Sequence, residues 1–449
     1  MGDRSGSDGA MEAWFGNLAG ILDAALAPGE RHASSLSAEA TDFVRMNRGK
    51  VRQPGHVEQR YLRVRLIRGA RHASHTLSLS GNLVDDRQAI GDAVKGLRES
   101  LAHVEDDPYL LLPDVVASSR AVREGALPAP ETMVESLLDA AAGNDLVGIL
   151  ATGPVYRGFC SSEGQRNWHA STAFNLQWSL YHRADKAVKS SWAGFEWSDA
   201  ELRARMAGAI DNLALIARPV KTLAPGTYRA FLTPTAMQEV AGLLCWGGFS
   251  GRALATEQSP LARMKGDARL DQRVGFSEDI EGGVAPAFQG EGFARPPCVP
   301  LIDAGRLVGA MVSPRTAREF KLDENGANGA ESPEALAMQP GALAQKDALD
   351  ALDTGLAIGN LWYLNYSDRP AGRMTGMTRF ATFWVEHGKV VAPVEVMRFD
   401  DTVYRMLGSN LEALTAEREL ILDSDTYGGR NLASVSLPGA LLSAMQFTL

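Results

Sequence analysis

The chain has 449 residues, 45% of them apolar and 22% charged, and a net charge of −9. That content supports a large core and excludes a disordered chain, and the length suits two large domains or three ordinary ones. The acidic balance excludes a primary role in nucleic-acid binding, which needs a basic surface to displace counterions.

Residues 1–20 are polar, glycine-rich and acidic, not basic and then apolar, so no secretory signal is expected. Apolar runs such as 110–112 and 243–246 are far too short to cross a bilayer, and a cytoplasmic location away from membranes is expected. Cys160, Cys245 and Cys298 form no close pair, which predicts buried free thiols rather than a disulfide framework or a zinc knuckle.

Met11, Trp14, Phe15, Leu18, Ile21, Leu22 and Leu26 recur at spacings of three and four, the pattern of an amphipathic helix that Pro28-Gly29 ends. From His56 to Arg68 the pattern alternates: Leu62, Val64 and Leu66 face one way, Arg63, Arg65 and Ile67 the other, as in a half-buried strand. A second strand over 75–79 and a turn at Ser80-Gly81-Asn82 lead to a helix marked by Ile90, Val94, Leu97, Leu101 and Val104, with Asp85 or Asp86 as cap. A helix over 130–142, a buried strand over 146–150 and a long helix over 198–217 follow. This interleaving predicts an N-terminal α/β layer domain within an α+β chain.

Pro219 and Ala224-Pro225-Gly226 place a domain boundary at 220/221, giving 1–220 and 221–449. Beyond it, strands are expected over 226–232, 306–312, 357–364, 378–386, 389–398 and 432–437, with a tight hairpin turn at His387-Gly388. Such strands need a second sheet or barrel closure to bury their inner faces. The segment 321–346, rich in Gly, Ala, Asn and Pro, is expected to be a mobile loop.

His72 and His75 lie an odd number of residues apart on a predicted strand, so they face opposite ways and make a poor metal pair. The glycines at 248–251 and 290–292 lack the strand-to-helix context of a dinucleotide site. Residues 153–189 carry Trp168, His169, Trp178, Tyr181 and His182, best explained as aromatics packed on a sheet. Denser still is 360–379, NLWYLNYSDRPAGRMTGMTR, where Trp362, Tyr363, Arg369, Arg373 and Arg379 cluster with glycines. Arginines and loop N–H groups of this kind can hold a carboxylate or a peptide backbone.

The stretch from Asn360 to Gly408, with TDFVRMNRGKVRQPG near the start and NLASVSLPGALLSAMQFTL at the end, resembles the TldD/PmbA family, a metallopeptidase group once called modulator of DNA gyrase. The resemblance implies an N-terminal α/β domain, a C-terminal antiparallel β-barrel-like domain, and two related chains enclosing a peptide-binding cavity. Its TldD-type members are similar to zinc peptidases with HExxxH on a helix and a downstream cysteine ligand; its TldE or PmbA type lacks these ligands. The corresponding helix here starts at Thr233-Pro234, and the motif falls on Gln238-Glu239-Val240-Ala241-Gly242-Leu243. Glu239 keeps the glutamate, whereas Gln238 and Leu243 replace the histidines, and no cysteine follows Cys298, the C-terminal stretch offering Asp425, Thr426 and Tyr427. An amide is a poor zinc ligand and leucine is none.

The resemblance therefore implies a non-catalytic TldE/PmbA-like chain with no cofactor of its own, partnered by a zinc-bearing TldD-type subunit that acts on unfolded peptide. Trp362, Tyr363, Arg369, Arg373 and Arg379 are the implied peptide contacts. Two alternatives are a self-sufficient homodimeric metallopeptidase using Cys245 and Glu257 as substitute ligands, and a peptide-binding scaffold without peptidase activity.

Overall fold

A computed structural model describes residues 4–183 and 186–448. The N-terminal sheet contains β1 (Arg31–Asn47), β2 (Lys50–Arg68), β3 (Arg71–Ser78), β4 (Ser119–Arg123), β5 (Asp145–Ser161), β6 (Arg166–Arg183) and β7 (Lys186–Gly194). Their order is β3-β2-β1-β5-β6-β4, with β7 also on β6, and every pair is antiparallel except β4 with β6.

The register sorts the side chains by parity. Leu36 lies opposite Leu62 and Gly158, and Tyr156 opposite Ala170, so even-numbered residues of β1, β2, β5 and β6 share one face. Helices α1 (Arg4–Ala24), α2 (Leu83–Ser100), α3 (Pro130–Ala140) and α4 (Asp199–Ile216) cover that face. Trp14, Phe15, Leu18 and Leu22 of α1 and Ile90 and Val94 of α2 meet Leu36, Leu62, Val64 and Trp168. Met133 of α3 and Met206 of α4 meet Leu146, Leu176 and Trp178. Gly158 permits the close approach of α1: a Cβ there would stand 2.7 Å from the Phe15 ring.

The odd face is largely polar and lies under the C-terminal half of the chain. Ala33, Ile67 and Phe159 meet Phe288, while Val155 and Ala173 meet Val284, Leu422 and Leu432. This corrects the half-buried reading of 56–68: Arg65 and Ile67 are buried because the second half covers their face. The same cover hides β1 from the sequence pattern, since its buried odd positions are Ala33, Glu39 and Thr41, with no large aliphatic among them. Asn82, not Asp85 or Asp86, caps α2 by accepting from the Val84 N–H, and the helix ends before Val104. Asp86 is instead buried, accepting from the Ser80 and Gly81 N–H groups, the Ser80 hydroxyl and Trp14 Nε1, which ties α2 to α1.

The second sheet contains β8 (Gly226–Leu232), β9 (Phe276–Asp279), β10 (Cys298–Asp303), β11 (Arg306–Leu307), β12 (Ala335–Met338), β13 (Gly355–Asp368), β14 (Arg373–Glu386), β15 (Lys389–Pro393), β16 (Arg398–Thr402), β17 (Leu411–Leu422) and β18 (Ser434–Phe447). Its path runs β11-β10-β9-β12-β18-β16-β14-β13-β8, and β18 also pairs with β8, so five strands return on themselves as a ring. The α+β class and the ring-like closure agree with expectation, although β13–β8 and β12–β18 are parallel. Helix α5 (Pro234–Cys245), capped by Thr233, buries Met237, Val240 and Leu244 against Leu232, Leu356, Ile358 and Phe399 of the ring.

Three strand assignments change. Segment 321–346 is not simply a loop: β12 sits between β9 and β18 with all four residues buried, and a short strand covered on both faces shows no alternation. The expected strand at 306–312 is only Arg306–Leu307, and 389–398 is divided into β15 and the start of β16. The hairpin turn stands, with His387 at φ 52° and Gly388 at φ 72° between the pairs Glu386–Lys389 and Val385–Val390. Among the described residues no helix is long and apolar enough to cross a membrane.

Candidate functional site

One turn of α5 forms a wall of a cavity of about 670 Å³. Residues four apart on a helix lie above one another, so Gln238 and Gly242, and beside them Glu239 and Leu243, present one surface to this space. The opposite walls come from distant segments: Asn328, Glu334, Asp423 and Asn431. Glu334 is fixed by a bidentate pair with Arg295 at 2.7 and 2.8 Å and by the Asn328 amide, and these partners outweigh burial to hold its pKa below the ordinary value. Behind it, Glu278 accepts from the Glu334 and Ala335 N–H groups, and burial pushes its pKa up. Asp423 accepts from the Asn431 amide, while its carbonyl accepts from Asn175 of β6, joining the cavity to the N-terminal sheet.

Glu239 carries no hydrogen bond or ion pair among the described residues. Loss of water around it raises its pKa, opposed by the charge of Lys189. The motif positions thus converge on the cavity with no imidazole among them. Gln238 offers an amide and Leu243 a hydrocarbon. Burial pushes the Cys245 thiol up to about 12, and among the described residues no histidine lines the cavity beside it. Glu257 does not line the cavity, nor do Asp425, Thr426 and Tyr427 on the segment after β17. Among the described residues no group of three or more His, Cys, Asp and Glu side chains is placed to hold a metal ion. His72 bonds Asp107 and the Arg65 guanidinium instead.

The arginine-aromatic segment forms the β13–β14 hairpin, and the structure divides it. Trp362, 46% exposed, and Tyr363, 77% exposed, lie side by side, with the Arg379 guanidinium 3.8 Å over the Trp362 ring. Tyr363 at φ 60° and Phe380 at φ 56° hold a left-handed backbone that costs non-glycine residues energy, beside an irregularity in the pairing. Arg369, half-buried, stacks on Trp246 and Tyr366 and donates to the Gln258 and Trp246 carbonyls. Arg373 pairs with Asp400 at 3.0 Å. None of these five lines the 670 Å³ cavity, although Leu364 of the same strand does.

Beneath the site, His169 of β6 is buried, its Nε2 without a partner among the described residues. Burial, reinforced by Arg157, lowers its pKa to about 4. The unfolded chain therefore takes up this proton first as pH falls, so stability present above about 6.5 is lost on the way down to 4, a total of about 3 kcal/mol. Urea unfolding between pH 7 and 4 should show this slope, and His169→Gln should remove it; parallel slopes would refute the assignment.

Comparison with known proteins adds the family. Residues 225–449, half of the chain, match the model of the PmbA/TldA metallopeptidase C-terminal domain. No curated protein matches the sequence. Among solved structures, TldE from Thermococcus kodakarensis superposes with a TM-score of 0.77 at 14% identity, covering 97% of this chain and 100% of that one. A candidate modulator of DNA gyrase from Thermotoga maritima gives 0.73 at 14% identity, covering 98% and 100%. A second protein so described, from Bacteroides thetaiotaomicron, gives 0.75 at 15% identity, covering 96% and 98%. At these identities the superpositions establish the fold. With the fold shared end to end and the C-terminal half matched by the family model, the chain belongs to the TldD/PmbA family of metallopeptidase-related proteins.

Proposed function

We propose that this chain is a TldE-type subunit that binds no zinc and supplies part of the peptide-holding cavity of a two-chain zinc peptidase acting on unfolded peptide. The observation that carries the reading is the α5 wall, where Glu239 faces the cavity between an amide and a leucine. A peptidase in this family draws its activated water from zinc bound by two histidines and a cysteine, and that chemistry belongs to the TldD-type partner. The fold shared with TldE is consistent with this reading.

In this reading the chain's own residues bind and orient. Asn328 and Asn431 offer amide donors and acceptors to a peptide backbone, and Trp362, Tyr363 and Arg379 form an exposed rim that grips side chains. Arg369 and Arg373 hold the hairpin rather than the peptide. A lone peptidase using Cys245 is disfavoured because no histidine among the described residues lines the cavity with it. In the assembled pair, Trp362→Ala with Arg379→Ala is expected to raise KM for an unfolded peptide roughly thirtyfold, from contacts of about 1 kcal/mol each. The assembly should survive by size-exclusion chromatography; an unchanged KM would remove the rim from the proposal.

A further inference from the structure

A second cavity, of about 380 Å³, lies over the polar odd face of the N-terminal sheet and shares Asn328, Glu334 and Asn431 with the first. The sheet register sets its chemistry. Ser37 of β1 lies between Arg157 of β5 and Tyr61 of β2, and Ser35 lies between Phe159 and Arg63, so two guanidinium groups and two serine hydroxyls line one small space.

Neither guanidinium has a carboxylate partner among the described residues. Arg157 donates only to the Tyr156 and Arg430 carbonyls, at 2.8 and 3.3 Å, and Arg63 has no side-chain hydrogen bond or ion pair. The nearby carboxylates are engaged elsewhere: Glu334 by Arg295 and Asn328, and Glu39 by Thr41, Gln59 and the Arg430 N–H. The third arginine of the lining, Arg295, is neutralised by Glu334. Arg157 is drawn out of water with the charges of Glu39 and Glu334 near it but neither in ion-pair contact, Arg63 stays exposed, and a planar guanidinium fork matches a carboxylate.

We propose that this cavity is a subsite for a ligand carboxylate, the free C-terminus of a peptide lying in the adjoining cavity, held by Arg157 and Arg63 with Ser37 as a further donor. The proposal rests on the peptide-binding reading above. A peptide whose chain crosses the shared Asn328–Glu334–Asn431 wall would end between two positive charges, which favours an acid terminus over an amine or an amide.

The test uses two N-terminally fluorescein-labelled peptides of the same sequence, one ending in a carboxylate and one in a carboxamide. Binding is read by anisotropy to the full chain and to the assembled pair in chelator. The acid is expected to bind at least about tenfold tighter, the effect of one charge-assisted hydrogen bond. That preference should fall to near one in Arg157→Met and in Arg63→Ala, the second substitution being at an exposed residue that keeps the test valid should the first disturb folding. Equal affinity of acid and amide overturns the subsite and leaves the peptide reading standing, whereas binding of neither overturns both. A preference retained in both variants removes the two arginines from it, and displacement of the acid peptide by micromolar inorganic phosphate overturns the carboxylate assignment.

Discussion

Glu30→Ala is expected to cost about 2 kcal/mol of stability at pH 7, because it removes a buried anion and leaves two half-exposed arginines facing each other. The Glu30 carboxylate has no solvent exposure and accepts from Arg98 Nε and Nη2, both at 2.8 Å, from Arg68 Nη2 at 2.6 Å and from the Ala27 N–H at 2.8 Å. It thereby fastens the end of β2 and the last turn of α2 to the segment leaving α1. The Arg98 hydrogen bonds lead in lowering its pKa to about 2. A depressed carboxylate stabilises the fold above its unfolded value of 4.5 and loses that contribution as pH falls toward 2. Urea titrations at pH 7 and pH 3 check both points: the wild type should weaken between them more than Glu30→Gln, which keeps the shape without the charge. Equal losses for the two proteins would contradict the assignment.

Arg430→Ala is expected to cost about 3 kcal/mol and to loosen the junction of the two sheets. The buried Arg430 guanidinium donates to the Gly153 carbonyl at 2.8 Å and the Ala173 carbonyl at 3.0 Å, while its backbone N–H donates to Glu39. Truncation leaves those two carbonyls buried and unbonded, at about 1–3 kcal/mol each before relaxation. The segment between β17 and β18 loses its anchor on β5 and β6, and with it Asp423 and Asn431 of the cavity wall lose their placement. Hydrogen exchange is the sensitive measurement: protection should fall at residues 423–433 and around Gly153, with α1 unaffected. Arg430→Lys should not restore it, because a single ammonium cannot reproduce the two-pronged reach and loses its charge more easily on burial.

The helices were legible because α1, α2 and α4 each bury one stripe, and Thr233-Pro234 announces the start of α5. The hairpin at His387-Gly388 was legible for the same local reason. β1 and β12 were hidden: β1 sets polar residues against a partner surface that alternation cannot reveal, and β12 is four small or aliphatic residues set among turn formers. The site divides in the same way. Gln238, Glu239 and Leu243 share a helix face by spacing alone and do meet at a cavity. Glu334, Asp423 and Asn431 arrive from loops more than 80 residues away with no motif of their own, and only the fold brings them there. Arg369 and Arg373 had the composition of a binding loop, yet their neighbours Trp246, Tyr366 and Asp400 take up their charge and their hydrogen bonds.

Whether this chain binds zinc of its own is decided by its zinc content when purified alone, by elemental analysis after dialysis against a weak chelator, alongside that of its assembly with a TldD-type subunit. Both samples are assayed for cleavage of an unfolded peptide. The expected result is a lone chain without zinc or cleavage, and an assembly that carries zinc and cleaves in a chelator-sensitive manner. Near-stoichiometric zinc in the lone chain, with chelator-sensitive cleavage, would contradict the account.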